Sequence, residues 1–143
     1  MFSSELWNNP GTGAFEIEYA ISMSDSDNEY ITWTPGSAGD QQKWTLSLWF
    51  KRKETNAEKY MMAYAASGSS YYLIGHNASN KLNLDFQTAG TAFVSSSAYG
   101  STSTWKHLVI AADSTQSTAG NRIKWYIDGT QVTSWATETQ PSV

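Results

Sequence analysis

Three kinds of side chain in this 143-residue sequence could do chemistry: a close pair of carboxylates, two histidines and an acidic turn. Glu16 and Glu18 stand at i and i+2, so on an extended chain they share one face. Paired carboxylates are what glycosidic cleavage needs, one protonating the leaving oxygen while the other attacks or stabilises. A solvent-facing pair on an early edge strand is the simpler reading, and it is adopted here. A nucleophilic relay would need His76 or His107 as its base. His107, in TWKHLVI beside Leu108, reads as a core or cross-strand histidine; His76, in a Gly-His-Asn turn, reads as exposed. Two histidines far apart in sequence make a poor metal site without further ligands. Asp25 and Asp27, within SDSDNE, place hard oxygen donors in a turn, the donor type that calcium takes, although the spacing is not that of an EF-hand loop. With no cysteine there is no thiolate nucleophile, thiolate metal site or disulfide. The chain is therefore expected not to be an enzyme, with no catalytic residues and no obligatory cofactor.

Recognition chemistry is better supplied. Aromatic residues make up 14% of the chain, seven of them Trp. Exposed aromatic rings beside amides and hydroxyls bind sugars by stacking and hydrogen bonding. Trp33, Trp49, Tyr71, Tyr72, Tyr99 and Trp135 are the candidate glycan contacts, with Asn77, Asn80 and Gln87 as polar neighbours. Most of these rings also suit a core, and only an exposed cluster would carry a functional reading. The net charge of −4 is spread thinly, with no basic stripe for nucleic acid. The one basic cluster, Lys51-Arg52-Lys53, reads as a solvated strand end. No apolar run reaches the roughly 18–20 residues that a membrane span requires, so no membrane insertion is expected. The opening MFSSELWNNPGTG lacks the basic flank and apolar stretch of a secretory signal.

The elements that must position these residues are strands. Trp44, Leu46, Leu48 and Phe50 fall on one face of residues 43–51, and Thr45, Ser47, Trp49 and Lys51 on the other. That pattern describes an inner strand of a two-sheet sandwich. Further strands are expected over residues 15–22, 29–34, 60–66, 71–75, 81–86, 104–112, 122–128 and 131–135, with a short one after Gly90. Asp128-Gly129 between alternating segments predicts a tight hairpin. Residues 54–66 could hide a helix capped by Thr55, but turn plus strand is the reading preferred. About ten short strands with turn signals every 8–12 residues give the rhythm of an all-β antiparallel sandwich. Residues 1–14 form an arm whose Phe2, Leu6 and Trp7 are expected to dock on a partner, and residues 15–143 form the domain.

The order of motifs then resembles a known family. The loop TPGSAG is followed by KWTLSLWFKRK, then TWKHLVIAAD, then STQSTAGNRIKWYIDGTQV. This is similar to the laminin-G-like jelly roll of the concanavalin A-like superfamily, and in particular to versions in the virion structural proteins of tailed phages, notably marine ones. The resemblance covers residues 15–143. It implies a tail fibre, tail appendage or head decoration, assembled in the host cytoplasm, with other virion proteins or copies of itself as partners and host surface glycans as a further target. A lectin-like receptor-recognition module is the alternative, and a glycoside hydrolase or depolymerase the third. Laminin-G domains often hold calcium at the rim, which would fall to Asp25 and Asp27. In the family more strands follow the hairpin, so residues 140–143 are expected to lie in mid-loop, the remaining strands coming from a longer protein or a partner.

Overall fold

The computed structural model describes residues 19–23, 29–67, 70–86 and 91–142. Contacts divide the chain into two compact units, residues 1–38 and 39–143. Within the first, the described residues carry no strand or helix, and Tyr19, Ile21, Tyr30, Ile31 and Trp33 are exposed. The strand expected over residues 29–34 is thus absent. The same holds for its predecessor as far as residues 19–22 report, because residues 15–18 lie outside the described residues. Alternation marks a segment fit for a strand, yet only a hydrogen-bonded neighbour makes it one.

The second unit is all-β. Among its described residues nine strands run β1 (Lys43–Phe50), β2 (Lys59–Ser67), β3 (Ser70–His76), β4 (Lys81–Phe86), β5 (Thr91–Ala98), β6 (Lys106–Asp113), β7 (Ile123–Ile127), β8 (Thr130–Gln131) and β9 (Trp135–Glu138). A 3-10 turn at Ala119–Asn121 lies between β6 and β7. The strands form a four-stranded sheet, β1-β6-β7-β8, and a five-stranded sheet, β2-β3-β4-β5-β9, with every described pairing antiparallel. This is the two-sheet antiparallel sandwich that the residue pattern predicted, consistent with a concanavalin A-like jelly roll. Bends at residues 53–57 and then β2 replace the alternative helix.

The core lies between the two apolar faces. From the four-stranded sheet come Phe50, Leu108, Ile110, Ile123, Trp125 and Ile127; from the other come Ile74, Leu82, Leu84 and Phe93. Trp44, Leu46 and Leu48 of β1 pack partly buried against this cluster, so β1 turns its apolar side inward as its alternation required. Trp125 is fully buried, 6.2 Å from Phe93 and 5.5 Å from Trp135 by ring centroids. One buried hydroxyl belongs to the design. The register of β4 on β5 shifts between Lys81 and Asn83, and the Leu82 N–H donates to Ser95 Oγ at 3.0 Å. Ser95 Oγ in turn donates to the Ser97 carbonyl at 2.7 Å, so both polar groups are satisfied where the ladder is broken.

The Asp128-Gly129 hairpin forms as expected, with φ of 51° at Asp128 and 79° at Gly129. Two consecutive left-handed residues match the twist of the flanking strands, and Asp-Gly supplies them at low cost. The strand expected over residues 131–135 does not form as one piece. The chain leaves the four-stranded sheet after Gln131, buries Val132, and enters the five-stranded sheet at Trp135, where β9 pairs with β5. The hairpin is therefore followed by a return to the opposite sheet.

Candidate functional site

The outer face of the four-stranded sheet gathers the residues that alternate with the core positions. In register, Trp49 of β1 stands opposite His107 of β6, and Ser47 opposite Val109, which faces Tyr126 of β7, which faces Gln131 of β8. Trp49 and His107 stack at 4.8 Å between ring centroids with planes 11° apart. His107 Nε2 and Ser47 Oγ share a hydrogen bond of 2.9 Å, which fixes the imidazole. Trp49 remains 46% exposed. One face of its indole is covered by His107, and among the described residues β1 has β6 as its one strand neighbour. Next to it, Lys51 Nζ lies 5.5 Å from the Trp105 ring centroid. The result is an aromatic platform fringed by the hydroxyls of Ser47 and Tyr126 and the amide of Gln131.

Asp128 closes one end of this face. Its Oδ1 accepts the His107 backbone N–H at 2.9 Å, and its Oδ2 pairs with Lys106 Nζ at 2.6 Å. Partial burial opposes ionisation of this carboxyl, but those two bonds prevail and hold it below the ordinary carboxylate range. Both oxygens are committed to groups other than the imidazole ring. Ser47, His107 and Asp128 are therefore near one another without forming a relay in which the carboxylate orients the base.

A second feature lies at the rim beside Lys106. Arg52, expected as part of a solvated strand end, is buried, with 8% of its surface exposed. Its Nη1 donates to Asn80 Oδ1 at 2.8 Å and its Nη2 to the Ala57 carbonyl at 2.7 Å, while Nε has no partner. Asn56 and Asn80, both at positive φ, complete the arrangement: the Asn56 N–H donates to Asn80 Oδ1 and Asn80 Nδ2 to Asn56 Oδ1. Burial lowers the Arg52 pKa, with Glu54 opposing the shift. Glu54 is itself paired with Lys59 at 2.8 Å. His76, expected in an exposed turn, is also buried: it ends β3, packs its ring 5.1 Å from Phe50, and leaves Nε2 without a partner. Burial, and then the Arg52 charge, push its pKa down to about 4. Asn80 also lines an open cleft of about 340 Å³, together with Ala98, Tyr99, Gly100, Ser101 and Lys106.

The six aromatic candidates are dispersed. Trp49 is on the outer platform. Tyr71 is half-buried on β3, opposite Ala65 of β2. Tyr72 is 38% exposed within a ring cluster, 5.9 Å from Tyr64 and 5.1 Å from Phe86. Tyr99 packs partly against the core while lining the rim cleft. Trp135 packs edge-on against Phe93 and Trp125. Trp33 is exposed in the first unit. Asn77 caps its own turn, its Oδ1 accepting from the Ser79 and Lys81 N–H groups, and Asn80 is tied to Arg52. The arm residues Phe2, Leu6 and Trp7, the carboxylates Glu16 and Glu18, the calcium candidates Asp25 and Asp27, and Gln87 lie outside the described residues. Sequence reasoning passed over the Ser47–His107 bond and the buried Arg52; the odd outward Trp49 in an otherwise polar row was the available signal for the first.

Residues 25–143 match the family described as the Concanavalin A-like lectin/glucanases superfamily, Laminin_G_3. No curated protein and no solved structure matches the chain at a significant level.

Proposed function

Because the chain belongs to the concanavalin A-like lectin/glucanases superfamily, we propose that it is a lectin-like binding module, without catalytic activity, that takes saccharide on the outer face of its four-stranded sheet. The observation that carries this reading is the Trp49–His107 stack, a half-exposed indole held flat by a neighbouring ring that is itself pinned by Ser47. A rigid ring with one open face gives sugar C–H groups a stacking surface at small entropic cost, and Ser47, Tyr126 and Gln131 offer directional hydrogen bonds beside it. The commitment of Asp128 to Lys106 and to backbone speaks for binding over turnover. A glycan array followed by calorimetry tests the reading. Saturable binding that Trp49→Ala abolishes, with the melting transition retained, is the expected result. Absence of binding to every saccharide sampled, or binding indifferent to Trp49→Ala, overturns it.

A second reading concerns where the module works. The motif resemblance to phage structural proteins supports a virion component, a fibre, appendage or head decoration assembled in the host cytoplasm. Among the described residues two long strands, β1 and β2, each have a single strand neighbour in their sheets, and such edges favour assembly with other chains by strand addition. Many copies on one particle would make weak saccharide binding sufficient. Quantitative mass spectrometry of purified particles, with gold-labelled antibody, decides it: fixed copy number at a fixed site supports the virion role, and absence from particles sinks it.

A further inference from the structure

We infer that the rim cleft beside Lys106 is an anion subsite, selecting saccharides that carry a carboxylate or sulfate group; this rests on the lectin-like reading above. The argument begins with Arg52. A guanidinium carries five N–H donors, and Arg52 uses two of them. Its acceptors are a neutral amide oxygen and a neutral carbonyl, so a buried cation stands with no carboxylate bonded to it among the described residues. Glu54, the carboxylate whose charge it feels, is held by Lys59. Taking a charge out of water without a counter-charge is costly, and such groups are ordinarily paired.

Two residues of the cleft lining, Asn80 and Gly100, lie against this cation. A Cβ at Gly100 would come within 2.5 Å of Arg52 Nη1 and 2.8 Å of Asn80 Cβ. Gly100 and Asn80, which line the cleft, are thus the immediate neighbours of the guanidinium, and its charge acts on an occupant across them. Lys106 is a second cation in the lining, and Tyr99 adds a phenol hydroxyl of the kind an oxyanion accepts from, while Ser101 Oγ is engaged with Ser103 and Thr104. His76, which feels the Arg52 charge, is itself neutral at physiological pH and adds no charge to it.

Asp128 tempers this charge by pairing with Lys106, and the same carboxylate binds the His107 backbone at the end of the Trp49 platform. Lys106 and His107 are consecutive on β6, so their side chains leave opposite faces of the strand, and Asp128 at the strand end is the group bonded to both residues. A saccharide that enters the cleft would present its acidic substituent to Lys106. Lys106 would then exchange Asp128 for the incoming anion.

The test compares oligogalacturonate, dextran sulfate and neutral dextran of matched length, titrated into the full chain at low and high salt. Either acidic probe is expected to bind about tenfold tighter than neutral dextran, with the advantage shrinking in salt as an exposed electrostatic contact should. Whichever acidic probe leads identifies the group as carboxylate or sulfate. Lys106→Met is expected to remove most of that advantage. Asp128→Asn, which keeps an acceptor for the His107 N–H and tolerates the left-handed backbone, is expected to increase it by freeing Lys106. Equal binding of acidic and neutral probes, or an acidic preference that neither variant moves, overturns the inference while the saccharide reading survives. No binding of any probe overturns both.

Discussion

Trp49 and His107 face each other across the β1–β6 ladder with their rings 4.8 Å apart and within 11° of parallel, so the outer sheet face carries a stacked pair where its alternation calls for polar residues. Such a pair stabilises beyond the area it buries, because offset rings on neighbouring strands gain dispersion and quadrupole contacts. A double-mutant cycle of Trp49→Ala and His107→Ala, read by chemical denaturation, should give a coupling of about 0.5–1.5 kcal/mol. Additive effects would show that the stack is not an energetic unit.

Acid should weaken the fold through His76. Its folded-state pKa of about 4 lies below its ordinary 6.5, so the unfolded chain takes the proton first. Stability is then full above about pH 6.5, falls as pH drops towards 4, and levels off below that as far as this residue is concerned. The loss amounts to about 3 kcal/mol from the size of the shift. His76→Phe, which keeps the ring contact with Phe50, should flatten the pH 4–6.5 segment of a denaturation series. An unchanged slope would assign that segment to the carboxylates instead.

The hairpin should depend on Gly129. At φ 79° a side chain is strained, and Gly129→Ala is expected to cost about 1 kcal/mol in a thermal or urea melt. Asp128→Asn should cost less, since asparagine accepts the left-handed region readily.

Trp125 should separate volume from polarity in the core. Its indole is fully buried and its Nε1 has no hydrogen-bond partner. Trp125→Ala is expected to cost about 3–5 kcal/mol. Trp125→Phe removes the unpaired N–H together with part of the ring, so its cost should fall well short of what the lost volume alone predicts. Equal losses in the two variants would contradict this.

Much of the sandwich was legible because its signals are local. The inward face of β1 and the bounds of β4 follow from two-residue alternation, and the hairpin from the backbone chemistry of Asp-Gly. Partners are not local, and the misreadings follow from that. His76 is the last residue of β3 before a turn, so its neighbours Gly75 and Asn77 read as turn residues; its burial comes from Phe50 and Arg52, which arrive from the end of β1. Arg52 sits in a basic run that reads as solvated, and only Asn80 and Ala57 reveal that it is a buried tie between loops. Val132 and Trp135 are apolar in a pattern that one strand would satisfy, and nothing in it says that the chain changes sheets between them. Of the site, Trp49 was foreseen as a ring, while the partner that orients it, His107, was read only as a structural histidine.

The pairing of β1 with β6 also sets a timetable. Leu48 meets Leu108, so β1, with its row of inward apolar residues, waits for a partner made about 60 residues later. At about 5–20 residues per second of synthesis, that wait is about 3–12 seconds. The β2–β5 meander, whose neighbours are consecutive in the chain, can close during that interval. On the ribosome, then, the five-stranded side offers a half-built surface on which Trp44, Leu46, Leu48 and Phe50 can shelter before their own ladder exists.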